Sequence, residues 1–168
     1  MLYNQVIEKK ESEKKRKNND EVNSMNNYLE FDNSLVTGNE VIDGQHKEWI
    51  DRINKLLGGC EECGCGGKVE AIKMLDYMAD YADFHFGEEE KLQAEVEYPA
   101  IDEHKAKHEE FRKAVAELYE MLQEEEGPTP AFVEAVRKNV VNWLVNHIKS
   151  FDVSVASYIN MKLEPERI

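Results

Sequence analysis

A chain of 168 residues, 41% of them hydrophobic, is long enough to bury one core. Its formal net charge of −14 sets it against nucleic acid as a partner, because phosphates are repelled over most of such a surface. No apolar run approaches the ~20 residues that a membrane-spanning helix needs, which excludes a helical membrane protein. The first ten residues lack the charged start and apolar stretch of a secretory leader. Three cysteines cannot all pair within one chain and fit a reducing compartment, so a cytoplasmic protein is expected.

Residues 1–28 are rich in Lys, Glu, Asn and Ser and carry no apolar period. Such a composition does not offset its ordering entropy, and the stretch reads as a mobile arm, with the net basic residues 8–17 as a solvated run. Residues 29–168 read as the folded domain. An extended lead-in with Phe31, Leu35 and Val36 ends at the turn signal Gly38-Asn39.

A first helix is predicted over residues 40–57, with Ile42, His46, Trp49, Ile50 and Ile53 at three- and four-residue steps. The glycine-rich loop 58–67 should break it; its Cys60, Cys63 and Cys65 form a C-x-x-C-x-C cluster suited to a redox disulfide or a soft metal, or are incidental. The second helix spans residues 68–97, through Ile72, Leu75, Met78, Ala82 and His85, and stops at Tyr98-Pro99 because the residue before proline is pushed out of the α region. The third, over 101–125, carries His104, His108, Phe111, Val115, Leu118 and Leu122. A fourth begins near Ala131, with Thr129 as its cap, and carries Phe132, Val136, Val140, Trp143, Leu144, His147 and Phe151. A short further helix is expected near 154–162. Short connections make sequential helices antiparallel neighbours, so the predicted fold is all-α, an up-down-up-down four-helix bundle.

All five histidines sit on the apolar stripes of these helices. His85 and Glu89, four residues apart, fall about 40° from each other on one face, as do His104 and His108. His147 and Asp152, five apart, fall about 140° apart on a regular helix, so the helix must end or distort for both to reach one point. A lone histidine on such a stripe is usually a hydrogen-bonded core residue. Four helices directing five imidazoles and two carboxylates into one interior is a different matter, because several would be left unsatisfied at ~1–3 kcal/mol each without a shared partner. Imidazole with carboxylate suits iron, zinc, copper or nickel, and seven ligands are too many for one ion. Two ions are therefore implied.

The stretches V-I-D-G-Q-H-K (41–47), H-F-G-E-E-E (85–90), Y-P-A-I-D-E-H-K-A-K-H-E-E-F (98–111) and W-L-V-N-H-I-K-S-F-D (143–152) resemble the hemerythrin family, in order and at family-like separations. The resemblance covers about residues 29–162 and implies two iron ions with a bridging oxo or hydroxo group. It assigns His104, His108 and His147 to one iron and His46 and His85 to the other, with Glu89 and Asp152 bridging. It further implies reversible O2 binding at the open position of the two-histidine iron, for storage, transport or sensing, in a pocket lined by Trp49, Phe86, Trp143, Leu144 and Ile148. Such a protein is not an enzyme. The competing readings are a di-iron oxidoreductase consuming peroxide, O2 or nitric oxide, and an iron-storage protein. Two positions depart from the family's pattern: Gln93, where such sequences often carry Met, and Trp49, where a smaller aliphatic side chain is common.

Overall fold

The computed structural model describes residues 28–61 and 67–163. The expected arm, apart from Tyr28, and the cysteines Cys63 and Cys65 lie outside the described residues. Helix α1 (Glu40–Glu61) begins where Asn39 caps it, its Oδ1 accepting from the backbone N–H of Val41 at 3.1 Å and of Ile42 at 3.2 Å. Before it, the lead-in is pinned to α1 by Asn54, which accepts from Leu29 N–H and donates to Leu29 C=O. Leu35, in a short 3-10 turn over Asn33–Leu35 of this strap, is buried.

The glycines at 58 and 59 do not end α1; it continues to Glu61. Both glycines fall in the last turn of α1, and each lies against the end of a side chain from elsewhere in the fold. A side-chain carbon at Gly58 would lie 3.0 Å from the Tyr28 hydroxyl, and one at Gly59 would collide with Sδ of Met74 on the neighbouring helix. Close approach of the strap and of α2 (Gly67–Glu95) uses the space a β-carbon would fill.

Helix α2 stops in a Schellman arrangement. Tyr98 N–H donates to Gln93 C=O at 2.8 Å and Glu97 N–H to Ala94 C=O at 3.2 Å, with Glu97 in the left-handed region at φ 54°. A glutamate there carries strain that glycine avoids. Glu97→Gly is expected to raise stability by about 0.5–1 kcal/mol in chemical denaturation; an unchanged or lower midpoint would mean that the flanking contacts already hold the turn.

Helix α3 (Ile101–Glu124) follows. The fourth helical run, α4 (residues 130–163), starts with Pro130 in its first turn and with Thr129 as cap, Oγ1 accepting from Phe132 N–H. Its α-helical pieces Pro130–Val136, Asn142–His147 and Val153–Leu163 are joined by two π-helical turns, Arg137–Val141 and Ile148–Asp152. At the joints the backbone stays helical, with φ −63° and ψ −51° at His147 and φ −59° and ψ −41° at Val153. The expected C-terminal helix is thus the last part of α4, reached without a break.

Facing pairs fix the register. Gln45 meets His85 and Gly59 meets Met74 between α1 and α2; Gln93 meets His104 and Asp76 meets Tyr119 between α2 and α3. His104 meets His147 and Phe111 meets Trp143 between α3 and α4, while Asn39 meets Asn160 and Trp49 meets Trp143 between the start of α1 and α4. Rising numbers on one helix meet falling numbers on the next in every case, which is the up-down-up-down bundle. The core has two apolar clusters. A large one contains Trp49, Ile53, Leu75, Phe86, Phe111, Leu118, Leu144 and Ile148; a small one contains Ile42, Val96, Val155, Ala156 and Ile159. Buried polar residues from all four helices, among them His46, His85, Glu89, His104, His108, His147 and Asp152, form a polar layer across the bundle.

Candidate metal centre

That layer holds all seven residues expected from the sequence. His46, His85, Glu89, His104, His108, His147 and Asp152 are buried, none more than 3% exposed. Glu89, His104, His108 and His147 place one donor atom each within 4.8 Å of one another, and His46, His85 and Asp152 do the same.

The two carboxylates tie the groups together. Glu89 Oε2 lies 3.3 Å from His104 Nε2, 3.5 Å from His108 Nε2 and 3.8 Å from His85 Nε2. Asp152 reaches His46 Nε2 through Oδ2 at 3.0 Å, and His147 and His104 through Oδ1 at 3.1 and 3.2 Å. Each carboxylate therefore borders imidazoles of both groups. Asp152 gains this position through the π turn Ile148–Asp152, whose i→i+5 closure brings a residue five positions on back over His147. The distortion that the five-residue spacing demanded is this turn.

Burial sets the protonation states. It depresses the His85 imidazole to about 3, aided by the neighbouring His46, and the His108 imidazole to about 2, aided by His104. His147 is likewise lowered, chiefly by burial. These rings are neutral near pH 7, the form that donates a lone pair to a metal. Burial, and next the charge of Asp152, hold Glu89 well above the usual carboxylate range. Burial would also raise Asp152, but the imidazoles of His147, His104 and His46 outweigh it and hold that carboxyl low. Among the described residues, both oxygens of Glu89 and of Asp152, and Nε2 of His46, His85 and His108, lack an aligned hydrogen-bond partner. A cation satisfies such a set at once, since it favours ionised carboxylates and neutral imidazoles together.

Behind the donors, three rings are held from outside. Gln45 Oε1 lies 2.8 Å from His85 Nδ1, Glu90 Oε1 lies 2.7 Å from His108 Nδ1, and the Gln93 amide lies 3.0 Å from His104 Nδ1. Sequence reasoning did not single out Gln45 or Glu90, although each adjoins a ligand-type residue in the quoted motifs. Gln93 is no surface position; it is fully buried.

Aromatic side chains wall the layer on the large-cluster side. Phe86 stacks on His108 at 3.8 Å between ring centres and Trp143 stacks on His147 at 4.3 Å. Trp49 is enclosed by His85, Phe86, Phe111 and Trp143, with ring centres 5.2–6.4 Å away. Leu144 and Ile148 are buried in the same apolar cluster. Phe111, an ordinary core position by its place on the apolar stripe, packs on Trp49, Phe86 and Trp143 at the centre of this wall.

A family model described as "Hemerythrin HHE cation binding domain" matches residues 37–152, more than half of the chain. The chain belongs to the hemerythrin family. A bacteriohemerythrin of Stenotrophomonas maltophilia is 31% identical over 135 residues, covering 80% of this chain and 84% of that relative. One from Aquifex aeolicus is 29% identical over 122 residues, covering 73% of this chain and 90% of its own. A solved structure of a leucine-to-phenylalanine mutant matches with a TM-score of 0.68 at 27% identity, over 78% of this chain and 96% of that one. This hemerythrin is thus a metal-binding protein with a helical bundle. None of its described helices is long and apolar enough to cross a membrane.

Proposed function

We propose that this hemerythrin is a non-enzymatic protein that binds O2 reversibly at a non-haem di-iron centre. One observation carries the reading: two buried groups of donor atoms, one with three imidazoles and one with two, share the same pair of carboxylates. In this reading His104, His108 and His147 would hold one iron, His46 and His85 would hold the other, and Glu89 and Asp152, which border both groups of imidazoles, would be shared between the two. The residues fit such a centre. Imidazole and carboxylate suit iron, His85 and His108 are neutral at working pH, and the unpartnered oxygens of Glu89 and Asp152 call for positive charge.

Once bound, the iron pair supplies the electrons that O2 borrows and returns. The chain's own residues determine what else reaches it. With fewer imidazoles, the His46–His85 side is the one with room for a small ligand. Gln45 and Glu90 orient the rings of His85 and His108 through Nδ1, leaving Nε2 turned inward. Trp49, Phe86, Trp143, Leu144 and Ile148 line the pocket and keep out water and anions, which would drive the centre into an oxidised form that no longer binds O2.

The test is the protein loaded with iron(II) without air. Metal analysis is expected to give two irons per chain. Brief exposure to air should produce an absorption spectrum that persists and that disappears on deoxygenation, over repeated cycles. A single bound ion would defeat the di-iron assignment. Two irons with immediate, irreversible oxidation would instead favour an oxidoreductase.

A further inference from the structure

Gln93 stands four residues beyond Glu89 on α2, on the same inward face. Its side chain is fully buried, with Nε2 placed 3.0 Å from His104 Nδ1 and with Oε1 lacking a hydrogen-bond partner among the described residues. His104 is the most central of the imidazoles. Its Nε2 lies 2.9 Å from His147 Nε2, 3.2 Å from Asp152 Oδ1 and 3.3 Å from Glu89 Oε2, so Nε2 is the nitrogen facing the donor cluster.

A neutral imidazole that gives its Nε2 lone pair to a cation must carry its proton on Nδ1. The group facing Nδ1 must then be an acceptor. A glutamine amide has an acceptor and a donor at almost the same reach, and a half-turn of its end exchanges them without moving the rest of the chain. A methionine thioether at this place would fill similar space as only a weak acceptor. Two other rings already face oxygen at Nδ1, His85 through Gln45 and His108 through Glu90, whereas Nδ1 of His46 and of His147 has no hydrogen-bond partner among the described residues. Gln93 would bring the number of outwardly held rings to two of the three on the His104–His108–His147 side.

We propose that Gln93 is a positioning residue whose amide oxygen accepts the Nδ1 proton of His104, holding the ring in the tautomer that leaves Nε2 free for a metal ion and slowing metal loss from the three-histidine side. The inference rests on the metal-centre reading above. It adds a residue that acts on that centre through His104.

The experiment compares the zinc(II)-loaded full chain, which is diamagnetic, as wild type, Gln93→Met and Gln93→Glu. Nuclear magnetic resonance of the imidazole nitrogens reads the tautomer and the exchange rate of the His104 proton, and transfer of zinc to a chelator reads retention. Wild type is expected to show a slowly exchanging proton on His104 Nδ1. Gln93→Met preserves volume and should keep its zinc content, but with at least tenfold faster exchange of that proton and about tenfold faster zinc release. Gln93→Glu keeps an acceptor oxygen and should restore both to wild-type values or slower. Equal exchange and release in wild type and Gln93→Met, with equal zinc content, would make Gln93 a packing residue and overturn the proposal while the metal-centre reading stands. A wild-type chain that takes up no metal would overturn that reading, and this inference with it.

Discussion

Replacing Trp49 by alanine is expected to cost about 3–5 kcal/mol of folding stability, the range for emptying an aromatic site in a packed core. The indole is 0% exposed and touches rings from each of the other three helices: His85 and Phe86 on α2, Phe111 on α3 and Trp143 on α4. Its contact with His85 places it beside the two-histidine side, so the cavity left behind adjoins the pocket proposed for O2. Trp49→Leu retains more of the volume and separates the two effects. With iron content still at two, Trp49→Leu is expected to bind azide faster and to lose its O2-bound spectrum faster than wild type. Stopped-flow azide binding and the decay of that spectrum provide the measurement. Unchanged rates in both, with the bundle intact by circular dichroism, would reduce Trp49 to core packing alone.

The metal-free protein is expected to lose stability steeply on acidification from about pH 6.5. His85, His108 and His147 all have folded-state values below the unfolded value of about 6.5, reaching about 3 for His85 and about 2 for His108, chiefly because burial disfavours the imidazolium. Above pH 6.5 these rings are neutral in both states and impose no pH dependence. Below it the unfolded chain takes up protons that the folded chain refuses, so stability falls with falling pH by about 1.4 kcal/mol per pH unit for each such ring. Glu89 works the other way, since its folded value is raised and the folded chain binds a proton there that the unfolded chain has released. Three rings against one carboxyl leave a net slope of about 3 kcal/mol per pH unit at most. Asp152, held low in the folded state, adds a further loss only below about pH 4. Urea unfolding of the metal-free chain at pH 7.5 and pH 5.5 tests the sign. An equal or higher midpoint at pH 5.5 would mean that the imidazoles are already protonated and paired with the carboxylates in the folded state.

Much of the site was legible in the sequence because its residues sit at helical spacing on apolar stripes. His46 shares a stripe with Trp49 and Ile53, and His104 with His108 and Phe111; a helix that buries its apolar face must carry these imidazoles inward. The groups that hold the rings from outside were not legible. Gln45 and Glu90 look like ordinary polar neighbours of a histidine and a glutamate in sequence, and their partners are on another helix, 40 and 18 residues away. Phe111 was visible as a core position, but its central place in the aromatic wall depends on how α3 meets α1 and α4.

By itself the sequence determined the four main helical runs, their antiparallel order and the inward placement of the five imidazoles and of Glu89. Local periodicity and short connections suffice for these, since each is a property of one helix or of two joined by a brief turn. Tertiary structure decided the rest. The five-residue step from His147 to Asp152 demanded a distortion without saying which; the fold has the π turn Ile148–Asp152, which sets Asp152 against His46 and His104 on other helices. Gly58 and Gly59 read as a helix end, because glycine weakens an isolated helix. In the fold they extend α1 by its last turn, with the ends of the Tyr28 and Met74 side chains against them, and no local pattern records what a distant residue will bring to that surface. The pairing of Gln93 with His104 has the same origin, in an inter-helix register set by the whole core rather than by any one stretch of chain.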